Sequence, residues 1–325
     1  MLARKTIALL TGGNSSEKVI SVQSARQIAA QLDPARYETH VITIEGNNWY
    51  AGDKNGNRIP FSLNDFTLPL PGRTVHFDYA MVVIHGDPAE NGRLQGYLDM
   101  MGIPYSCPGV LTSALTFNKY FCKNYLAAFG ITSARHMLIT RNNIPSAGEV
   151  AATVGFPCFI KPNNGGSSFG TSRVATPDEL LPALEKAFAE DNEVLAETAL
   201  TGTEITCGLL KTGGKELLLP LTEIVSKKEF FDYEAKYTPG MAEEITPARI
   251  SSELTAACHT LSSRIYDLLQ CKGIVRIDYI LSGNTFWFLE VNTIPGMSEN
   301  SIVPRQIRQA GFSLSEVLDM VIQGN

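Results

Sequence analysis

The chain carries two short segments near its C-terminus that largely decide its fold: IVRID at residues 274–278 and FLEVN at residues 288–292. Both have the composition of β-strands, and the stretch Ser282-Gly283-Asn284 between them is typical of a hairpin turn. Side chains alternate between the faces of a strand, so residues two apart share a face. An even register across this hairpin would place four polar side chains on one face: Arg276, Asp278, Glu290 and Asn292.

This polar face has two interpretations. Carboxylates, an amide and a guanidinium are costly to bury together unless something compensates their charge. An oxygen-ligated cation such as Mg²⁺ would do so and would leave Arg276 for an anionic group, and Mg²⁺ sites with few protein ligands usually serve the phosphates of a nucleotide. A solvated hairpin face with an ion pair explains the same residues equally well, and these segments alone do not decide between the two.

The composition excludes several classes of protein. The 325 residues are 44% hydrophobic and 18% charged, which is ordinary for a globular chain of two or three domains. A formal net charge of -6 argues against non-specific binding of nucleic acid, and no apolar run approaches the ~20 residues of a membrane span. Six scattered cysteines without a C-x-x-C pair indicate free thiols, and we therefore expect a reducing, cytoplasmic location.

The first part of the chain, up to residue 107, alternates between strand and helix patterns. Strands are predicted at 5–10, 37–44 and 79–84, and helices at 21–32 and 92–101. The alternation predicts a parallel α/β domain, in which ligands bind beyond the carboxyl ends of the strands. Polar clusters containing Glu17 and His85 follow two of these strands. Taken alone, Glu17 is better explained as a carboxylate favoured at a helix N-terminus.

A lysine ends the apolar strand at residues 156–162, and a loop of small residues, NNGGSSFG, follows it. Lys161 would bring an ammonium group to the rim of a core, where snorkelling is the alternative explanation. Backbone N–H groups and hydroxyls of such a loop can close over phosphates. The loop matches neither the Walker A pattern nor the dinucleotide fingerprint. Glu197 and Glu204 then mark the edges of two further strands, where a carboxylate could contact adenine or ribose or be an ordinary strand-edge residue.

Residues 227–245 break the regular pattern. They combine aromatic and charged side chains without a clean period, which is typical of a lid or binding loop. A helix is predicted at 251–269, before the hairpin, and two short helices at the end of the chain. The turn at residues 293–298 could present a backbone N–H beside the polar face.

In their order, these motifs resemble those of ATP-grasp enzymes and, within them, the D-alanine–D-alanine ligase family. The resemblance covers nearly the whole chain. It rests on GGNSSEKVIS at 12–21, HGDPAENGRLQG at 85–96, IPY at 103–105, Lys119, KPNNGGSSFG at 161–170, DYEAKY at 232–237, EVNTIPGM at 290–297 and SIVP at 301–304. No single piece is decisive, but the ordered set is specific.

The resemblance implies a fold and an activity. The fold would be α/β and α+β, a three-domain ATP-grasp architecture: an N-terminal parallel α/β substrate domain at 1–107, a central ATP-grasp subdomain at 108–197, and a C-terminal ATP-grasp subdomain at 198–325 with the lid and the metal site. The activity would be ATP-dependent joining of two D-alanines through an acyl phosphate, releasing ADP and phosphate, for peptidoglycan precursor synthesis. A homodimer without nucleic-acid or membrane partners would be expected.

The resemblance also implies residue roles. At the nucleotide it implies Lys119, Lys161, Ser168 and Lys236 for the phosphates, Glu197 and the backbone near Leu200 for adenine, and Glu204 for ribose. At the metal it implies two Mg²⁺ ions, with Mn²⁺ as an alternative, on Asp278, Glu290 and Asn292. At the D-alanines it implies Glu17 and His85 for the first, Ser301 and Ile302 for the second, Arg276 and Gly296 at the oxyanion, and a lock of Glu17, Ser167 and Tyr237.

Several positions depart from the family pattern without removing a metal ligand or an oxyanion donor: Ala89, Asn91, Asn118, Thr198, Phe231 and Glu299-Asn300. Three alternatives stay open. The chain could be another ATP-grasp ligase, such as a D-alanine–D-lactate ligase or a carboxylase, against which Tyr237 and the N-terminal match argue. It could be an inactive nucleotide-binding regulator, against which the intact Arg276, Glu290 and Asn292 argue. The missing fingerprint argues against a dinucleotide-dependent oxidoreductase.

Overall fold

The computed structural model describes residues 4–15, 17–53, 55–166, 168–226 and 242–324. Within these residues the strands and helices form three main sheets with helices packed against them.

The first sheet contains the N-terminal strands. The elements are β1 (Lys5–Gly12), α1 (Lys18–Gln31), β2 (Tyr37–Glu45), β3 (Asn48–Gly52), β4 (Arg58–Pro60), β5 (Thr67–Leu70), β6 (Arg73–His76), β7 (Tyr79–Val82) and α2 (Arg93–Met101). The sheet order is β4-β3-β2-β1-β7, and β5 pairs with β6 separately. β1 is parallel to both β2 and β7, whereas β3 and β4 extend the sheet in antiparallel fashion.

The prediction of a parallel N-terminal sheet is therefore right for its centre and wrong for its edge. Strands β3 to β6 are not predicted by the sequence pattern, and they are only 3–5 residues long. Strands this short do not show enough alternation to be recognised against the turns around them. The central parallel pair β1 and β7 is the part that positions the polar clusters after these strands.

The second sheet is antiparallel and has the order β10-β9-β11-β8. Its region of the chain contains α3 (Val110–Phe117), α4 (Lys119–Ala127), β8 (His136–Thr140), α5 (Ala147–Thr153), β9 (Cys158–Pro162), β10 (Ser172–Val174), α6 (Leu180–Phe188) and β11 (Glu193–Thr198). Asn118 begins α4, because its side-chain oxygen accepts a hydrogen bond from the Phe121 N–H at 2.9 Å. Asparagine can therefore cap this helix at a position where the family pattern has aspartate.

The third sheet is antiparallel and has the order β15-β14-β12-β16-β17, with β13 also paired to β12. Its elements are β12 (Thr203–Thr212), β13 (Lys215–Leu218), β14 (Thr222–Ser226), β15 (Ala242–Ile245), α7 (Ser252–Leu268), β16 (Gly273–Ser282) and β17 (Thr285–Asn292), followed by α8 (Ile302–Gln309) and α9 (Leu314–Gln323). The predicted hairpin, the helix before it and the two final helices are all present.

The hydrophobic cores connect the ends of the chain. Ile7 and Leu9 of β1 pack in one cluster with Ile307 of α8 and with Val317 and Ile322 of α9. The C-terminal helices therefore pack against the first sheet, although in the chain they come after the strands of the third sheet. Burial of such apolar side chains is worth roughly 1.5–3 kcal/mol each, so this cluster holds the third sheet close to the N-terminal polar clusters.

Candidate active site

The hairpin of β16 and β17 presents its polar residues on one face, as predicted. Arg276 pairs with Asn292 and Asp278 pairs with Glu290 across the two strands. On the opposite face of the two strands, neighbouring apolar residues are buried in the core: Ile277, Tyr279, Phe288 and Val291. The strands thus separate a packed face from a polar one.

The polar face is already linked by hydrogen bonds. Arg276 donates from Nε and Nη2 to the two carboxylate oxygens of Asp278, at 2.9 and 2.7 Å, and Asn292 Nδ2 donates to Asp278 Oδ2 at 2.9 Å. Burial opposes the charge of Arg276, but Asp278 and then Glu290 raise the pKa of its guanidinium. Arg276 is paired with Asp278 in this arrangement because residues two apart on a strand face are neighbours, and its availability to an anionic group beside a bound cation stays a prediction.

The donor set nevertheless fits a hard cation. Asn292 uses its nitrogen toward Asp278, so its amide oxygen is directed elsewhere, and Glu290 adds a second carboxylate on the same face. Among the described residues no three His, Cys, Asp or Glu side chains gather into a metal-binding group, so a site here would rest on these two carboxylates and the amide. Oxygen ligands of this number are what Mg²⁺ takes when it also binds a substrate's phosphates.

A cavity of about 420 Å³ lies between the second and third sheets, beside this face. Seven of the residues singled out in the sequence line it: Lys119, Lys161, Ser168, Glu197, Leu200, Glu204 and Glu290. The structure therefore brings these seven residues to one cavity, whereas Lys236, also expected at the phosphates, lies outside the described residues. Its volume is in the range of ordinary small-molecule sites.

The cations of this cavity come from two elements. Lys119 is the first residue of α4, and its Nζ donates to the Gly165 carbonyl of the glycine-rich loop. Lys161 lies in β9 opposite Leu195 of β11, with its ammonium paired to Glu197. Because both ammonium groups reach the same cavity from different sides, they can bind an extended anion such as a triphosphate.

Lys123 is the main residue at this cavity that sequence reasoning missed. Its Nζ lies 2.7 Å from Glu197 Oε1, so Glu197 is paired with two lysines. Burial opposes the ionisation of Glu197, but Lys123 and Lys161 outweigh it and lower the pKa of this carboxyl to about 2. The only sequence signal was the spacing from Lys119, since residues four apart share a helix face.

The two N-terminal polar clusters meet because β1 and β7 are adjacent parallel strands. Ser15 Oγ donates to the His85 carbonyl at 2.7 Å, and Asn14 Nδ2 donates to Asp87 Oδ2 at 2.8 Å. Glu17 occupies the N-cap position of α1, but its side chain makes no capping hydrogen bond. Glu17 therefore lies at a helix N-terminus, where the simpler interpretation places it and where the helix dipole favours a carboxylate.

The side chain of Glu17 also reaches the glycine-rich loop. A Cβ added to Gly166 would lie 2.9 Å from Glu17 Oε2, a distance at which one of the two groups must move. Only glycine thus lets the loop approach this carboxylate so closely. The contact places Glu17 at the boundary between the N-terminal sheet and the cavity, which Gly166 lines.

His85 is buried beside Glu17. Its Nε2 has no hydrogen-bond partner among the parts of the chain that the structure describes, while the Ile294 backbone hydrogen-bonds the ring. Burial lowers the pKa of His85 although the Glu17 carboxylate opposes this, so the ring is neutral at physiological pH. A buried, unpaired ring nitrogen is costly unless a ligand completes its hydrogen bonding.

Glu90 is a further buried carboxyl in this region. It accepts a hydrogen bond from the Gly86 N–H at 2.7 Å and lines a small void with Lys119, Gly166 and Glu290. Burial and then the Glu17 carboxylate raise the pKa of Glu90 to about 8. In the sequence Glu90 is only one member of the motif at 85–96, and nothing local there predicts a buried carboxyl.

The turn after β17 closes the site. A Cβ on Gly296 would lie 2.9 Å from Ser301 Oγ, so the two residues are direct neighbours. Ser301 precedes α8, its hydroxyl pairs with that of Ser298 at 2.7 Å, and it makes no capping bond to the helix. Ile302 begins the helix, whose N-terminal N–H groups favour an anion. Three other predicted site residues lie outside the described ranges: Ser167, Lys236 and Tyr237.

Comparison with known proteins decides the family. The sequence model described as "D-ala D-ala ligase N-terminus" matches residues 6–108, and that described as "D-ala D-ala ligase C-terminus" matches residues 125–323. The chain belongs to the D-alanine–D-alanine ligase family. It is 48% identical over 321 residues to the D-alanine–D-alanine ligase of Azobacteroides pseudotrichonymphae, covering 98% of this chain and 99% of that protein.

Solved structures of the family have the same fold. The VanG D-Ala:D-Ser ligase from Enterococcus faecalis superposes with a TM-score of 0.88 at 30% identity, over 99% of both chains. The D-alanine–D-alanine ligase from Bacillus anthracis, solved in complex with ATP, superposes with a TM-score of 0.78 at 29% identity, over 98% of this chain and 96% of that one. The predicted ATP-grasp fold class is thereby confirmed, and a dinucleotide-dependent oxidoreductase is excluded.

The positions that depart from the ligase family's pattern are accommodated locally. Thr198 lines the cavity of about 420 Å³, and its hydroxyl donates to the Val154 carbonyl at 2.6 Å. Ala89 is buried, Asn91 bonds Asp87, and Glu299 is exposed with its carbonyl accepting from Arg308. Phe231 lies outside the described residues. None of these described positions blocks the cavity.

Two general expectations concern the whole chain. The six cysteines are free, and five of them are buried, as the sequence predicts. Across the described ranges, no helix of this ligase-family chain is both long and apolar enough to cross a membrane.

Proposed function

We propose that this protein uses ATP to join two molecules of D-alanine into D-alanyl-D-alanine, releasing ADP and phosphate, as a step in making peptidoglycan precursors. The observation that carries the proposal is the position of Glu17 and His85. His85 lies beside Glu17, and the Glu17 carboxylate lies against Gly166 of the glycine-rich loop, which lines the nucleotide cavity. An amino acid bound there lies next to the nucleotide's phosphates.

The first D-alanine binds through its ammonium group to Glu17, and neutral His85 supplies a ring nitrogen that needs a partner. A carboxylate oxygen of this D-alanine then attacks the γ-phosphorus of ATP, forming an acyl phosphate with a new O–P bond while the bond to the ADP oxygen breaks and ADP leaves. Lys119, Lys161 and Lys236 bind the phosphates and offset the charge that develops on them.

The second D-alanine binds through its carboxylate to the Ser301 hydroxyl and the backbone at the start of α8. Its unprotonated amine attacks the acyl phosphate, and phosphate leaves from the tetrahedral intermediate. Arg276 and the Gly296 N–H stabilise the oxyanion of that intermediate. Because Ser301 and Gly296 are neighbours, the acceptor and the oxyanion donor lie together.

Asp278, Glu290 and Asn292 would hold two Mg²⁺ ions, with Mn²⁺ as a substitute. These ions would supply positive charge to the phosphates of the nucleotide. Adenine would be read by Glu197 and the backbone near Leu200, and ribose by Glu204. Tyr237, with Ser167 and Glu17, would close the site and keep water from the acyl phosphate.

Three features of organisation belong to the same proposal: domain boundaries at 1–107, 108–197 and 198–325, a cytoplasmic location, and a homodimer. Support for a homodimer comes from apolar side chains exposed on adjacent helices, including Met100 of α2, Leu111 of α3 and Phe121 of α4. Exposed apolar patches of this kind mark interaction surfaces. Sedimentation of wild type and of Phe121→Arg, which should favour the monomer, tests it.

The activity is tested by incubating purified protein with ATP, Mg²⁺ and single amino acids, measuring ADP release and identifying products. D-alanine should give D-alanyl-D-alanine. Parallel reactions with D-alanine plus D-serine or D-lactate test for other acceptors, since a D-Ala:D-Ser ligase has the same fold. Turnover of L-alanine without turnover of D-alanine would overturn the proposed function.

A further inference from the structure

Lys123 is buried in the wall of the nucleotide cavity without being part of its lining. It lies one turn after Lys119 on α4, and only 1% of its surface is exposed. Its Nζ lies 2.7 Å from Glu197 Oε1 and 3.3 Å from the Phe288 carbonyl oxygen. A lysine is rarely buried this fully unless its charge is paired, and here the partner is a residue of the nucleotide site.

The two lysines on Glu197 differ in what else they can reach. Lys161 and Glu197 both line the cavity, and Lys161 pairs with Glu197 Oε2. Lys123 is enclosed behind them and pairs with the other oxygen, Oε1. A nucleotide phosphate can therefore compete with Glu197 for Lys161, but it cannot compete for Lys123. The Lys123 pair remains when the Lys161 pair is weakened.

We propose that Lys123 is a positioning residue for base recognition: it keeps Glu197 ionised and fixed in orientation while Lys161 serves the phosphates. The inference rests on the proposed use of ATP and extends it to the choice of base. An ionised carboxylate only accepts hydrogen bonds. It therefore favours a purine with an amino group at C6, such as adenine, and disfavours one with a carbonyl oxygen there, such as hypoxanthine.

The Phe288 carbonyl helps to hold the Lys123 ammonium in place. Phe288 follows Trp287 in β17 and lines the cavity, and its backbone carbonyl accepts a hydrogen bond from the Lys123 ammonium at 3.3 Å. The Lys123 ammonium also lies 5.5 Å from the centre of the Phe288 ring. With these contacts on one side and Glu197 on the other, Lys123 has little freedom to move, which is what a positioning role requires.

The test compares binding of ADP and inosine diphosphate, which carry an amino group and a carbonyl oxygen at C6, by calorimetry without D-alanine. Wild type should prefer ADP. Lys123→Met keeps the length of the side chain and removes its charge, and should reduce the ADP preference about tenfold, the effect of weakening one charge-assisted hydrogen bond. Lys211→Met is the matched control, because Lys211 pairs with Glu216 and Asp267 away from the cavity. It should keep the wild-type preference.

If Lys123 had only a structural role, Lys123→Met would weaken the binding of ADP and of inosine diphosphate equally. The ratio of their dissociation constants would then be unchanged, and that result would overturn the inference. If Lys123→Met does not fold, the double variant Lys123→Met/Glu197→Gln removes both buried charges together. The double variant should show the same ADP preference as Glu197→Gln alone, because Lys123 acts through Glu197. A wild-type ratio in the double variant would contradict this.

The assay separates the inference from the proposed function. Loss of ADP preference in Lys123→Met supports the inference even if the wild-type protein joins no D-alanine. Normal ligase activity in wild type with an unchanged ratio in Lys123→Met overturns the inference and leaves the proposed function standing. Absence of any ADP preference in wild type would overturn the inference whatever the ligase assay gives.

Discussion

Asp278 and Glu290 are directly opposite each other across the hairpin, although the turn alone would not bring them together. From Ser282 opposite Thr285, the pairing runs regularly to Tyr279 opposite Phe288, and it then shifts so that Asp278 faces Glu290. Leu289 is the extra residue. This β-bulge turns Glu290 onto the polar face, a role that bulges commonly have beside active sites. Without the shift, Glu290 would face the core.

The Asp278–Glu290 pair leads to the first prediction, that Glu290→Gln lowers turnover at least about 100-fold by removing one of two carboxylates available to Mg²⁺. ADP release measures turnover, and the Mg²⁺-dependent rise in melting temperature of the ADP complex measures metal binding. Both should fall together. Glu299→Gln, an exposed change on the following turn, is the control. Near-normal turnover in Glu290→Gln would mean that the metal lies elsewhere.

A second prediction concerns pH and Glu90. Its pKa is raised from 4.5 to about 8 by burial and by Glu17. Between these values the folded protein holds a proton that the unfolded chain has released, so stability falls as pH rises through about 8. Glu90→Gln remains neutral and should lose less stability over that interval.

Denaturant unfolding at a series of pH values, without Mg²⁺, measures this difference. Between about pH 4.5 and pH 8, the wild-type free energy of unfolding should decline more steeply with pH than that of Glu90→Gln, and the two curves should run parallel above this interval. The control is Glu185→Gln, on the exposed face of α6, which should follow the wild type. Parallel curves for wild type and Glu90→Gln within this interval as well would show that Glu90 is already ionised in the folded protein.

A third prediction concerns Thr198, where the family usually has lysine. Thr198→Lys adds a donor at the adenine side of the cavity but removes the hydroxyl bond to the Val154 carbonyl, which is worth roughly 0.5–1.5 kcal/mol. ATP binding should tighten or stay unchanged, with little effect on D-alanine. Thr198→Val removes the hydroxyl alone and separates the two effects. Markedly weaker ATP binding in calorimetry for Thr198→Lys but not Thr198→Val would mean that this site reads adenine differently.

The sequence predicted the polar face of the hairpin but not how it arises. An even register was expected from a turn of three residues, whereas the structure has a two-residue loop at Gly283-Asn284 and a bulge at Leu289. The shorter loop and the bulge each shift the pairing by one residue, so together they restore the expected faces. Nothing local in an apolar strand indicates which leucine will form a bulge. Register depends on packing of the whole sheet, which a strand pattern does not contain.

Lys123 shows a second limit of prediction from the sequence. A lysine on a helix is expected to be exposed, and its burial follows from Glu197, 74 residues later in the chain. Lys161 was predictable because a lysine at the end of an apolar strand, followed by glycines, is locally unusual. Side chains that act through a distant partner carry no such local signal. The ordered motifs identified the family and the cavity, and the structure was needed for the contacts behind them.

The last prediction concerns the contact between Glu17 and Gly166. In Gly166→Ala the added methyl would lie 2.9 Å from Glu17 Oε2, and the flexible carboxylate is the group that gives way. The fold should survive, but Glu17 should no longer bind the ammonium of the first D-alanine well. We expect KM for D-alanine to rise about tenfold or more, the effect of losing a charge-assisted hydrogen bond, with ADP affinity changed much less. Gly148→Ala on α5 is the control, because a Cβ there comes no closer than 3.9 Å to its neighbours. Steady-state kinetics with D-alanine and calorimetry with ADP measure the two effects. A variant that loses ADP affinity but keeps its KM for D-alanine would show that Gly166 serves the phosphates and that Glu17 does not bind the first substrate.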